Sequence, residues 1–129
     1  MPLWKNTSEK MLIDTNVALR YLLQDNEVMA AKAQEVISSG GILLPEVLAE
    51  VVYVLQKVYK VSRHETYESL KDLLAETESP DPLVLERAVD LYGETTLDFV
   101  DCVLIAHNHV EKIFVFTFDK KMNKLLKNP

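Results

Sequence analysis

Two rhythms of apolar and polar positions alternate along this chain. Short unbroken apolar runs give way to longer stretches in which apolar residues return every three or four positions. Lys10 to Ile13 reads as a short buried strand. Thr15 to Gln24 carries Val17, Leu19, Tyr21, Leu22 and Leu23, dense enough for a packed helix. Glu27 to Ser38 is a second helix with Val28, Ala31, Val36 and Ile37 on its inner side, stopped by Gly40-Gly41. Gly41 to Leu44 is the next strand. Pro45 suits the first turn of the helix that follows, which runs to about Lys60. Ser62 with Glu65 matches a capping box for a helix over about Arg63 to Glu76. Ser79 to Pro82 is a break, and Glu76-Thr77-Glu78 before it are poor strand formers for an edge strand. Pro82 opens a helix with Leu83, Leu85, Ala88, Val89 and Tyr92 at helical spacing, ended by Gly93. Asp98 to Glu111 is helical, Ile113 to Phe118 is strongly β-prone, and Asp119 caps a short last helix ending near Leu126.

Strands that are continuous apolar runs, alternating with helices, point to parallel strands covered on both faces. The fold class expected is α/β: one three-layer α/β/α domain over residues 10–129 with a short central parallel sheet. Residues 1–9 lack periodicity and read as a flexible extension. In such folds ligands bind beyond the carboxyl ends of the strands. Asp14 and Asp119 each follow a predicted strand directly.

Four acids stand beside apolar runs: Asp14, Glu50, Asp101 and Asp119. An unpaired carboxylate taken out of water costs several kcal/mol or more, so such groups are paired, protonated or metal-bound. No lysine or arginine lies within these runs as a local partner. Each acid also has a plainer reading. Asp14 and Asp119 can be helix caps. Asp98 can cap the helix in which Asp101 occupies the third position, where the positive helix end favours acids. Glu50 can lie on a thin exposed stripe with Glu46 and Tyr53. As a set they are harder to dismiss. Two carboxylates about 4 Å apart repel by roughly 4 kcal/mol at an effective dielectric near 20. A converging cluster therefore needs protons or cations, and all-oxygen ligands favour Mg²⁺ or Mn²⁺ over zinc. His64, His107 and His109 form no zinc-like pattern with cysteine.

Composition narrows the class further. The net charge of −6 weighs mildly against a nucleic-acid partner, although acids gathered in a cation-binding pocket would make the sum misleading. Positive charge is clustered at Lys57, Lys60 and Arg63, and again at Lys120, Lys121, Lys124 and Lys127. These groups read either as solvated helix surface or as phosphate contacts. Cys102 is the only cysteine, so no intramolecular disulfide forms and a reducing, cytoplasmic setting is expected. No apolar stretch reaches membrane-spanning length, so no membrane partner is expected.

Read together, Leu12-Ile13-Asp14-Thr15-Asn16, Pro45-Glu46-Val47-Leu48-Ala49-Glu50, Leu97-Asp98-Phe99-Val100-Asp101-Cys102 and Thr117-Phe118-Asp119 resemble the PIN-domain nucleases. Within them the chain looks most like the VapC toxins of toxin–antitoxin pairs. The resemblance spans Met11 to about Leu126. It implies a metal-dependent endoribonuclease with Mg²⁺ or Mn²⁺ held at Asp14, Glu50, Asp101 and Asp119. Asn16 and Thr117 match supporting polar positions, and Asp98 is a further contributor of lesser weight. It also implies hydrolysis by a metal-activated water, leaving a 5′-phosphate and a 3′-hydroxyl. Arg20, Lys57, Lys60, Arg63, Lys120 and Lys121 are candidates for gripping an RNA backbone. A small antitoxin partner is expected. A homodimer through helices around residues 46–76 is expected too, because that stretch is richer in apolar residues than one buried face requires. Two departures from the family pattern are a longer amino-terminal extension and a missing carboxyl-terminal edge strand. Two other functions stay open. One is magnesium-dependent phosphotransfer or phosphatase chemistry through Asp14, against which Asn16 stands where a second aspartate is wanted. The other is a binding module of the same fold without catalysis.

Overall fold

The computed structural model describes residues 10–129. The extension expected at residues 1–9 lies outside the described residues. Two compact units divide the chain, one ending at Pro80 and the other spanning Asp81–Pro129.

In the first unit, strand β1 (Met11–Leu12) pairs in parallel with β2 (Gly41–Ile42). Ile13 N extends the ladder by donating to Ile42 O at 3.0 Å. The other edge of β2 is closed by Glu78, whose N–H donates to Gly41 O at 3.0 Å and whose carbonyl accepts from Leu43 N at 2.8 Å. The edge position disfavoured by composition is thus occupied, because the ladder there is made by backbone groups alone. The β1 strand is less buried than its apolar run suggests: Leu12 is 61% exposed, and only Ile13 is sunk in the core.

Four helices complete this unit: α1 (Thr15–Leu23), α2 (Glu27–Ser38), α3 (Pro45–Lys57) and α4 (Arg63–Glu76). Strand and helix alternate through β2 and α3, the small parallel sheet amid helices that an α/β chain requires. Helix α1 packs on α2 and α3, and α3 on α4. The inner face of α2 is Ala30, Ala33 and Ile37, whereas Val28 and Ala31 face water. Spacing of three and four selects that face, and the two alanines let α1 approach closely. Gly40 has φ +94°, a left-handed conformation that ends α2 without Cβ strain. At Gly41 a Cβ would stand 2.9 Å from Ile13 Cγ2 and 3.3 Å from Val36 O, so glycine lets β2 lie flush against its neighbours.

Thr66, on the inner face of α4, is fully buried, and its hydroxyl has no hydrogen-bond partner among the described residues. Removing an unsatisfied buried hydroxyl without changing shape is favourable. Thr66→Val is expected to stabilise the protein by about 1 kcal/mol, read from the midpoint of a urea denaturation curve.

The second unit is a helical hairpin, α5 (Pro82–Glu94) against α6 (Phe99–Glu111), followed by the short α7 (Lys120–Leu125). Helix α5 continues through Gly93 to Glu94 rather than ending there. It buries Val84, Leu85, Ala88, Val89 and Leu91, while Leu83 is exposed. Tyr92 and Phe99 pack with ring centroids 5.9 Å apart at the turn between the helices. His109 ties the unit together. Its Nδ1 accepts from Arg87 Nε at 3.2 Å, and its Nε2 lies 2.7 Å from Leu125 O. Arginine can only donate, so the neutral imidazole carries its proton on Nε2.

The strand expected over Ile113–Phe118 does not form. The segment is irregular, with Phe114, Phe116 and Phe118 largely exposed and Phe116 edge-on to Phe118. Side-chain amides bond its backbone at Ile113, Val115 and Thr117. Asn128 both accepts from Val115 N (3.3 Å) and donates to Val115 O (2.8 Å), as a strand partner would. Asn108, 1% exposed, donates to Ile113 O at 2.9 Å and to Asn128 Oδ1 at 3.1 Å, and accepts from Lys127 N at 2.7 Å. Intrinsic β-preference is overridden here by local amide pairing.

Candidate functional site

The proposed acids fall in both units. In the first, Asp14 follows β1 and caps α1, its Oδ1 accepting from Val17 N at 2.9 Å. Asn16 is exposed in the first turn of α1. Glu50 is exposed on α3, one turn after the exposed Glu46 and one turn before Tyr53. Glu50 thus shares an exposed stripe of α3 with Glu46 and Tyr53. Its apolar neighbours Val51 and Val52 turn inward, while Glu50 itself stays in water. Asp14 and Asp119 are exposed as well, so the cost of desolvation argued from the apolar runs does not fall on these three acids.

Asp101 is different. It lies half-buried in the first turn of α6, and its carboxyl is held above the ordinary aspartate range. Loss of solvent is the largest cause, followed by repulsion from Asp98 and then from Asp119. Asp98 is the N-cap of α6 yet makes no capping bond with its side chain. Asp119 caps α7, with Oδ1 accepting from Met122 N at 2.9 Å. Thr117 supports it: the threonine hydroxyl accepts from Asp119 N at 3.1 Å. Asn123 in turn donates to Thr117 O at 3.0 Å. Lys120 and Lys121 are exposed beside it at the start of α7. The second unit thus brings Asp98 and Asp119 each within electrostatic range of Asp101.

Among the described residues no three or more His, Cys, Asp or Glu side chains are grouped as ligands of one metal ion. The three acids of the second unit interact by charge without sharing a coordination sphere. Their chemistry nonetheless suits a hard divalent cation: every donor is a carboxylate oxygen. A positive ion there would also oppose the repulsion that raises Asp101.

Arg20, expected to reach for RNA, is engaged within its own unit. Its Nη1 bonds both oxygens of Asp25 at 2.7 and 2.8 Å, and its Nη2 donates to Tyr59 Oη at 3.1 Å. Lys57 is exposed at the end of α3, Lys60 is exposed in the turn that follows, and Arg63 opens α4 half-exposed. Sequence reasoning gave no role to Asn108 and Asn128, which hold the segment leading to Asp119. The available signal was an asparagine among the apolar positions of α6.

The family model for the PIN domain matches residues 11–127, nearly the whole length, and the chain belongs to the PIN-domain family. PIN domains are generally metal-dependent nucleases. No curated protein and no solved structure matches the chain. No helix among the described residues is long and apolar enough to cross a membrane.

Proposed function

We propose that this PIN domain is a divalent-metal-dependent endoribonuclease, the toxin of a VapC-type toxin–antitoxin pair acting in the cytoplasm. The observation that supports it most is Asp101, a half-buried carboxylate under the influence of Asp98 and Asp119, in a chain whose family cleaves nucleic acid. Asp14, Glu50, Asp101 and Asp119 are the residues that would hold Mg²⁺ or Mn²⁺, with Asp98, Asn16 and Thr117 in support. Such an ion, when bound, supplies a water of lowered pKa and positive charge for the phosphoryl oxygens.

The chain's own residues supply orientation and proton handling. The Met122 N–H and the Thr117 hydroxyl fix the direction of Asp119. Asp101, half-buried in the first turn of α6, is the carboxylate assigned here to take a proton from an attacking water. Lys120 and Lys121, next to Asp119, are suited to a phosphate backbone. No ribose hydroxyl serves as the nucleophile in this scheme.

Cleavage of a labelled single-stranded RNA is expected to leave 5′-phosphate and 3′-hydroxyl ends, identified by mass spectrometry. Chelation should stop the reaction, and Mg²⁺ or Mn²⁺ should restore it. Recovery of 2′,3′-cyclic phosphate ends would overturn the scheme. The toxin role is tested separately, by whether the neighbouring open reading frame encodes a small protein that suppresses cleavage.

A further inference from the structure

Between α6 and α7, the carbonyl of every second residue is held by an asparagine amide. Asn108 donates to Ile113 O at 2.9 Å, Asn128 to Val115 O at 2.8 Å and Asn123 to Thr117 O at 3.0 Å. Asn123 is the one nearest in sequence to a candidate metal ligand, Asp119. It is exposed on α7, and it holds the turn into that helix at two points. Its side chain takes the carbonyl of Thr117, and its backbone N–H donates to the carbonyl of Asp119 at 3.1 Å. Between those points the bonds close into a ring. Asp119 N donates to the Thr117 hydroxyl at 3.1 Å, that hydroxyl donates to Met122 Sδ at 3.7 Å, and Met122 N donates to Asp119 Oδ1 at 2.9 Å. The N–H, the carbonyl and one carboxylate oxygen of Asp119 are thus all engaged. Asp14 is anchored in another way, by the strand ladder that ends at Ile13 N and Ile42 O. No strand leads into Asp119, and side-chain amides do that work.

We infer that Asn123 is a positioning residue for the metal site: by fixing the Thr117 carbonyl, it sets the direction in which Asp119 offers Oδ2 to a divalent cation. The inference rests on the metal-dependent reading above and adds a residue to it. A ligand that must be turned into place on binding loses affinity, so the groups that orient carboxylate ligands weigh nearly as much as the ligands themselves. The plainer role for Asn123 is to brace α7 and nothing more. Its chemistry speaks against that. Asparagine is a weaker helix former than alanine, and a hydrogen bond at an exposed position adds little to stability. Alanine would serve the helix as well, and only the hold on Thr117 would be lost.

The test titrates the full chain with Mn²⁺, the free ion being read by electron paramagnetic resonance. Asn123→Ala should weaken Mn²⁺ binding about tenfold, the lower end of what removal of an orienting group costs. Its melting temperature without metal should stay within about 2 °C of the parent. Asn123→Leu, similar in bulk and also without a donor, should show the same loss, which separates the amide from the space it fills. In cleavage assays the effect should be a higher Mn²⁺ requirement, with the rate at saturating Mn²⁺ little changed. In an Asp119→Asn background, adding Asn123→Ala should weaken binding no further, because the residue acts through that carboxylate. If Asn123→Ala binds Mn²⁺ as tightly as the parent, or if its loss is as large in the Asp119→Asn background, the inference falls while the metal-dependent reading stands. If affinity and melting temperature fall together, Asn123 is a brace alone and the inference is overturned. If the parent itself binds no Mn²⁺, both readings fall together.

Discussion

Asp101→Asn is expected to lower RNA cleavage by at least about a hundredfold, the usual worth of a proton-transfer or charge-stabilising group, while raising the melting temperature at neutral pH. The activity loss follows from the proposed role of the carboxylate. The gain in stability follows from its surroundings, where burial, Asp98 and Asp119 together lift its pKa. A carboxyl whose folded pKa is raised binds its proton more tightly in the folded chain than in the unfolded one. Its contribution to stability is complete below the unfolded pKa and is lost as pH rises through the folded pKa. At neutral pH the ionised group therefore works against folding, and the amide removes that opposition. The advantage of the variant should shrink as pH falls below the ordinary aspartate range. Paired melts of parent and variant across pH, without divalent ions, check this. A variant that still cleaves, or one that melts lower than the parent at neutral pH, contradicts the account.

Asn108→Leu is expected to cost about 2–4 kcal/mol, read from chemical denaturation. The asparagine is buried, and its amide makes three hydrogen bonds, to Ile113 O, Asn128 Oδ1 and Lys127 N. Leucine matches its bulk closely but offers neither donor nor acceptor. The Ile113 carbonyl and the Lys127 N–H would then lose their partner, and Asn128 would lose the neighbour that orients it toward Val115. Buried polar groups stripped of partners are among the few causes of losses this large.

Helices with local punctuation were legible from sequence, and long-range pairing was not. The bounds of α2 and α4 fall where apolar spacing and the Ser62 cap put them, because those signals lie within a few residues of the helix ends. The strand predicted at Ile113–Phe118 rested on preference alone. A strand exists only through its neighbour, and here the amides of Asn108 and Asn128 take that neighbour's place. Glu78 shows the converse: poor by composition, it closes the β2 edge because backbone groups pair whatever the side chain. The candidate acids were legible as residue types in order along the chain. Their burial was not. An apolar run around a carboxylate says nothing of which way a helix turns it, and only Asp101 is turned partly inward.

The capping bonds of Asp14 and Asp119 bear on how these positions should be interrogated. Each uses one oxygen, Oδ1, to receive the N–H three residues on. Among the described residues the second oxygen of each accepts no hydrogen bond, and its direction is set by the helix it opens. Alanine at either position would erase charge and anchorage at once, and a lost cap alone is worth about 1 kcal/mol. Asparagine keeps an oxygen where the N–H expects one and withdraws only the negative charge. The amide is therefore the cleaner instrument at both sites, and a scan built on alanine would confuse a loosened helix end with lost chemistry.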